Sequence, residues 1–439
     1  MEDNLQGQST KTAIGIFLLA VLLRLGYVLL RQPSLSGDSG DYLSLAENLI
    51  YQQVFSFDGV VPTIRRPPFY PWFLSGICLI TGEQPSASVY IITCVQAILD
   101  SFVAVIVFQL SRITLALRFA LGAGIFYAIC PGVIDMTRHI LSETIFTSLL
   151  ACMMLCLLWG IKSGKSSLFI IAGVLLGSAI LSRSIAILLI PILGALIVIL
   201  TRSSRRILYG TIFAVATALV IAPWIIRSSA IANRFVLIQG ASAVNFYTPT
   251  LVDIDQGNED ALWSLIFKKE TRDPYGNKLT SAKTAAEILD ADRIGFKVAW
   301  QNIAARPSDY LRSRIHAYPH LFLNSFDSFT GINAPFATLW QSKQWLKLLI
   351  KVGLLFVFSL LPFVAALFGV IKMRMEAVTG IIASIWIYFL LIHVPMWIEF
   401  RFWLPATPFL IVSAFQGAQS LFLLTEKRYG SSTIGLQYK

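Results

Sequence analysis

The chain has 439 residues, 56% of them hydrophobic and only 13% charged. A soluble domain carries roughly 25% charged residues, so a water-soluble globule is excluded and most of the surface must face lipid. The net charge of +11 does not mark a nucleic-acid partner, because Lys and Arg sit in short clusters between apolar runs and not along one soluble face.

Apolar runs approaching the roughly 20 residues of a membrane helix occur near 12–31, 88–110, 115–133, 140–161, 168–182, 184–201, 207–226, 347–371, 377–396 and 402–424. All should be helical, since backbone groups in lipid must be satisfied within the segment. The expected fold is an all-α polytopic membrane protein of about ten spans. The first run is longer than the core of a secretory signal and no small-x-small cleavage site follows it, so it reads as an uncleaved span.

Charge sets the expected orientation. One set of loops holds Lys11, Arg112 and Arg118, Lys162 and Lys165, Arg202 with Arg205 and Arg206, Lys372 and Arg374, then Lys427 and Arg428. The opposite turns hold only isolated Arg138, Arg183 and Arg401. The clustered side is then cytoplasmic, with both termini inside, a setting that suits a bacterial plasma membrane. Two long segments, 32–87 and 227–346, fall outside. The expected division is an N-terminal transmembrane catalytic module (1–226), an extracytoplasmic loop region (227–346), and C-terminal transmembrane helices with a short tail (347–439). In the first long segment, 42–50 has the spacing of an amphipathic surface helix. In the second, 281–305 has helical periodicity up to Pro307, and another helix follows from Ser308 toward Tyr318-Pro319. No tandem repeat is present.

Polar residues gather at the outer ends of the spans. Just after the first span stands Gly37-Asp38-Ser39-Gly40-Asp41-Tyr42. Asp38 or Ser39 could cap a helix; the functional reading makes the carboxylate a general base held against the membrane, its pKa tuned in opposite directions by desolvation and the helix N-terminus. Next comes Arg65-Arg66-Pro67-Pro68-Phe69-Tyr70-Pro71-Trp72, in which paired arginines beside aromatics suit a phosphate head group or an interfacial anchor. Arg138, His139 and Glu143 open the fourth span, Arg183 lies between the fifth and sixth, Arg227 closes the seventh, and His393, Glu399 and Arg401 precede the last. Each alone could be a snorkelling or paired charge; together they point to one polar cavity. The interiors of the spans read as nearly charge-free. His316 and His320 have metal-ligand spacing, but Pro319 separates them and no third ligand is near, so no metal site is assigned and a divalent-cation requirement stays open. The five cysteines read as small buried hydrophobes; a Cys78–Cys94 bridge has no support.

In order, the chain carries GDSGDY, RRPPFYP, LSET, LSRS, APWIIR, NIAARPSDYL and RFWLPATP. In this arrangement it resembles the GT-C superfamily of membrane glycosyltransferases, in its branch of protein O-mannosyltransferases and lipid A aminoarabinose transferases. The resemblance implies an inverting transfer of a sugar from a polyprenyl-phosphate carrier to a lipid, glycan or protein acceptor at the outer face. It also implies that Asp38 is the catalytic aspartate of the first loop and that Tyr42 is the tyrosine of the same motif. Many relatives have Asp-Glu where this chain has Asp38-Ser39, so Asp41 is the second carboxylate here. The expected catalytic residues are Asp38, Asp41 and Glu143. Tyr42, Arg65, Arg66, Tyr70, Arg138, His139, Arg183, Arg227, His393 and Arg401 are expected to bind substrate. The rival classes are a transporter or flippase of lipid-linked sugar, and a surface polysaccharide polymerase or ligase.

Overall fold

The computed structural model describes residues 2–251, 281–372 and 377–429, with the backbone alone at 2–8, 377 and 427–429. Residues 252–280 of the second long segment, Arg374, and the side chains of Lys427 and Arg428 lie outside the described residues.

The described chain is helical, with no strand beyond one isolated parallel bridge between Ser34 and His139. A helix stands at each of the ten expected spans. Six regions are long and apolar enough to cross a membrane: Ser9–Arg31, Val89–Arg112, Glu143–Ser163, Arg206–Ala232, Trp345–Lys372 and Phe400–Glu426. The other four are shorter apolar helices, and of these Leu117–Ala128, Ser184–Leu200 and Val378–Ile392 fall short of their sequence runs while Ser166–Ser182 does not. The reason is local: Pro131 opens a separate short helix, Pro131–Met136, and Ser184–Leu188 winds as a tighter 3₁₀ turn before Leu189–Leu200. All five cysteines are free thiols.

Helices pack closely where glycine lets backbones approach. A Cβ on Gly417 would lie 2.0 Å from the Ala365 carbonyl, and one on Gly369 would lie 2.5 Å from the Ser413 carbonyl, so Leu361–Lys372 and Thr407–Tyr429 touch backbone to backbone. Gly173 does the same against Phe213, where the Thr217 hydroxyl also donates to the Gly173 carbonyl at 3.0 Å.

The interior of the bundle is not charge-free. Arg24 and Asp100, both within spans, meet at 2.6 Å with side chains 0% and 2% exposed. Arg24 also donates to the Ala128 carbonyl, and Tyr127 donates its hydroxyl to Asp100. A charge in lipid persists when its partners are fully supplied. Partners 76 residues apart leave no local pattern to read.

Outside the spans, Ser39–Tyr51 is the expected amphipathic helix, burying Tyr42, Leu45 and Ala46. Ala285–Ala305 begins four residues later than its periodicity suggests, because a Thr284–Glu287 capping box starts it there. Pro307–Ala317 and a 3₁₀ turn through Leu321 follow.

Candidate active site

The end of Glu2–Arg31, the start of Glu143–Ser163, the end of Ser166–Ser182 and the turn before the last span meet at one end of the bundle. They enclose a cavity of about 1770 Å³. Its wall includes Asp38, Asp41, Tyr42, Arg65, Arg66 and Arg183. Arg401 and all four histidines of the chain, His139, His316, His320 and His393, line it as well.

The acidic motif does not work as a cap. Asp38 occupies the N-cap position of Ser39–Tyr51, yet its side chain makes no capping bond. Instead Arg66 Nη2 donates to Asp38 Oδ1 at 2.6 Å and to Asp41 Oδ2 at 2.8 Å, while Arg66 Nε donates to the same Asp41 oxygen at 3.0 Å. Asp38 and Asp41 stand three apart, so one turn of helix presents both carboxylates to one guanidinium. Pro67 and Pro68 stiffen the chain that delivers Arg66, and its guanidinium also lies over the Tyr42 ring at 5.7 Å.

A second cluster shares Asp38. Arg401 Nη1 lies 3.7 Å from Asp38 Oδ2, and its Nε lies 3.8 Å from Glu143 and in direct contact with Glu399. Arg183 Nη1 reaches Glu143 Oε1 at 2.7 Å. Glu143, expected to be catalytic, is 1% exposed and is not among the residues lining the cavity, and among the described residues its carboxylate oxygens have no hydrogen-bonded partner beyond these ion pairs. Burial pushes the Asp38 carboxyl up, but Arg66, Arg401 and Arg183 outweigh it and hold its pKa below the usual carboxylate range. Tyr42 shifts the other way: it is buried, and its hydroxyl is held above the ordinary tyrosine value. That hydroxyl donates to Ser142 Oγ at 3.4 Å.

The structure places several expected site residues off the cavity. Tyr70 is fully buried and donates to Gln96, whose amide holds the Thr137 and His139 carbonyls. Arg138 turns to Asp135 at 2.8 Å and to Ser328 at 3.1 Å. Arg227 donates to the Thr63 carbonyl and lies over the Trp224 ring at 4.4 Å. These three arrangements arise because a buried aromatic hydroxyl or guanidinium satisfies itself against the nearest buried amide, carbonyl, ring or carboxylate. His393 lines the cavity between the Phe389 and Phe402 rings, with Nδ1 against the Phe389 carbonyl at 2.8 Å. Among the described residues no three His, Cys, Asp or Glu side chains converge as a metal site.

Asp135 is a cavity residue that reading the sequence missed. It accepts from Tyr27 at 2.9 Å and from Arg138, and it faces His139 Nε2 at 3.6 Å. Burial pushes its carboxyl up, but His139, Arg138 and Ser328 bring it well below the usual range. The signal was present as the i, i+3, i+4 spacing of Asp135, Arg138 and His139, masked by the apolar residues around it.

Residues 65–226 match the family model described as dolichyl-phosphate-mannose-protein mannosyltransferase. No curated protein matches the chain in sequence. Among solved structures, the archaeal oligosaccharyltransferase of Archaeoglobus fulgidus, in complex with an inhibitory peptide and a dolichol-phosphate, is similar with a TM-score of 0.53 at 14% identity, over 98% of this chain and 52% of that one. The apo form of the Archaeoglobus fulgidus oligosaccharyltransferase gives 0.55 at 13% identity, over 97% and 53%. ArnT from Cupriavidus metallidurans, bound to undecaprenyl phosphate, gives 0.41 at 13% identity, over 100% and 84%. The chain spans about half the length of the oligosaccharyltransferases. The chain thus has six regions long and apolar enough to cross a membrane, is similar to the dolichyl-phosphate-mannose-protein mannosyltransferase family over 65–226, and shares the fold of the Archaeoglobus fulgidus oligosaccharyltransferase over nearly its whole length.

Proposed function

We propose that the chain is an inverting glycosyltransferase that moves a sugar from a polyprenyl-phosphate carrier to a lipid, glycan or protein acceptor at the extracytoplasmic face of the plasma membrane, with both termini cytoplasmic. The observation that carries this reading is the shared position of Asp38: one carboxylate, on the wall of a large cavity, between Arg66 and Arg401. The fold shared with an oligosaccharyltransferase whose structure contains a dolichol-phosphate supports a lipid-phosphate donor, and the family match over 65–226 supports a sugar on it.

In this reading the 1–226 module supplies Asp38, Arg66, Glu143 and Arg183, and the 347–439 segment supplies Arg401. Asp38 accepts the proton as the acceptor hydroxyl or amine attacks the anomeric carbon. The bond from that carbon to the carrier oxygen breaks, and its electrons leave with the phosphate. The transition state is oxocarbenium-like, so the cations are needed where negative charge grows on the leaving group. The cluster holds Asp38, Asp41, Glu143 and Glu399 against Arg66, Arg183 and Arg401, and Arg65 on the same wall balances the charge. A near-neutral wall grips phosphate by guanidiniums changing partners, not by a strong net field. Water excluded from the cavity strengthens each of these contacts.

The test is transfer of labelled sugar from polyprenyl-phosphate-sugar in proteoliposomes. Wild-type protein should transfer it and Asp38→Asn should not. Movement of intact labelled donor across the bilayer without transfer would overturn the reading in favour of a flippase.

A further inference from the structure

His139 was expected to bind substrate, but both of its ring nitrogens face protein groups. Nε2 faces Asp135 Oδ2 at 3.6 Å, and Nδ1 lies 3.3 Å from the Ser36 hydroxyl. Asp135 is itself fixed by Tyr27 from the first span and by Arg138. Ser36 is joined to Ser39: the Ser39 hydroxyl donates to the Ser36 carbonyl at 2.7 Å and accepts from the Ser36 amide at 3.1 Å. Between Ser36 and Ser39 lies Asp38. The same loop pairs with the His139 backbone, Ser34 donating to the Arg138 carbonyl at 2.9 Å and Ile140 to the Ser34 carbonyl at 3.4 Å.

This loop needs such anchors. It carries no helix, and both Gln32 and Gly37 have positive φ, at 63° and 56°. A non-glycine residue there is held against its own preference. We propose that Asp135 and His139 are positioning residues, fixing through Ser36 the loop that aims the Asp38 carboxylate, and do not bind substrate. Asp135 orients the imidazole so that Nδ1 presents its lone pair to the Ser36 hydroxyl, in the way a carboxylate fixes the tautomer of a working histidine. The proposal rests on the reading of Asp38 as the base, and it extends that reading to two residues distant in sequence.

Hydrogen exchange of amides in 32–41 tests the anchor without any assay of transfer. The substitutions separate the two nitrogens. His139→Asn keeps an acceptor near the position of Nδ1, whereas His139→Gln places its amide toward Asp135 and loses the Ser36 bond. Exchange in 32–41 should rise in His139→Gln, Ser36→Ala and Asp135→Asn, and stay near wild type in His139→Asn, with thermal unfolding in detergent unchanged across the set. In the transfer assay the first three should lose about 10- to 100-fold in kcat, the cost of a misaimed catalytic group, with donor and acceptor KM within about twofold. Wild-type exchange in Ser36→Ala, or equal behaviour of His139→Asn and His139→Gln, overturns the anchor. A raised KM with unchanged kcat makes these residues substrate ligands and overturns it too. A wild-type protein that transfers no sugar sinks the glycosyltransferase reading, while the exchange data still decide the anchor.

Discussion

The Arg66 guanidinium and the Asp38 carboxylate, 28 residues apart in the chain, meet at 2.6 Å on the cavity wall. Asp38 is therefore ionised across the neutral range, its pKa held down by Arg66, Arg401 and Arg183 against the opposing effect of burial. With a base of depressed pKa, acid loss of activity sets in only as pH falls through that low value.

Removing Arg66 reverses the sign of the balance. In Arg66→Gln burial remains and the largest lowering influence is gone, so the Asp38 pKa rises. The acid limb of the kcat/KM profile should move to higher pH. On acidification the variant should lose activity at a higher pH than the wild type does. An unshifted acid limb would remove Asp38 as the titrating base.

Asp38→Asn keeps an oxygen that accepts from Arg66 but cannot take a proton. Transfer should fall by about 10²- to 10⁴-fold, the range of a positioned general base. Membrane insertion and thermal unfolding should stay near wild type, since the side chain is 30% exposed.

The arginines at the span ends should separate in kinetics. Arg183 and Arg401 reach the site through Glu143 and Asp38, while Arg227 is turned to the Thr63 carbonyl and the Trp224 ring. Arg183→Ala should raise donor KM about tenfold, roughly 1.4 kcal/mol of phosphate contact. Arg227→Ala should change it less than about twofold. Equal effects from the two would show that the phosphate lies elsewhere.

The buried Arg24–Asp100 pair should be costly to break from one side. Asp100→Leu leaves Arg24 uncompensated and should destabilise by about 3–5 kcal/mol. Arg24→Met combined with Asp100→Leu should recover most of that. Thermal unfolding in detergent measures both, and a double variant no more stable than the single would point to Tyr127 as the partner that matters.

Gly417→Ala should lower the melting temperature and the yield, because its Cβ would stand 2.0 Å from the Ala365 carbonyl and overpacking typically costs about 1–3 kcal/mol. Gly15→Ala, with nothing within 4 Å of its added Cβ, is the matched control and should be neutral.

The positions of the spans were legible in the sequence, because lipid demands long apolar segments with internal hydrogen bonding and composition alone reports them. The motifs around Asp38, Arg66, Glu143, Arg183 and Arg401 were legible as well, since charge at a span end is rare enough to stand out. What each charge touches was decided only by tertiary structure. Arg66 in the first outer segment and Arg138 at a span end both stand near aromatic or acidic neighbours; the fold gives one to Asp38 and Asp41 and turns the other to Asp135. Tyr70 reads as an interfacial aromatic, yet the packing of Phe69–Thr81 drives it inward to Gln96. Arg24 and Asp100 left no trace in local spacing, because their attraction acts across two helices. Apolar periodicity is a property of each segment by itself. Electrostatic partnership is a property of distance, and distances between segments exist only once the helices have packed.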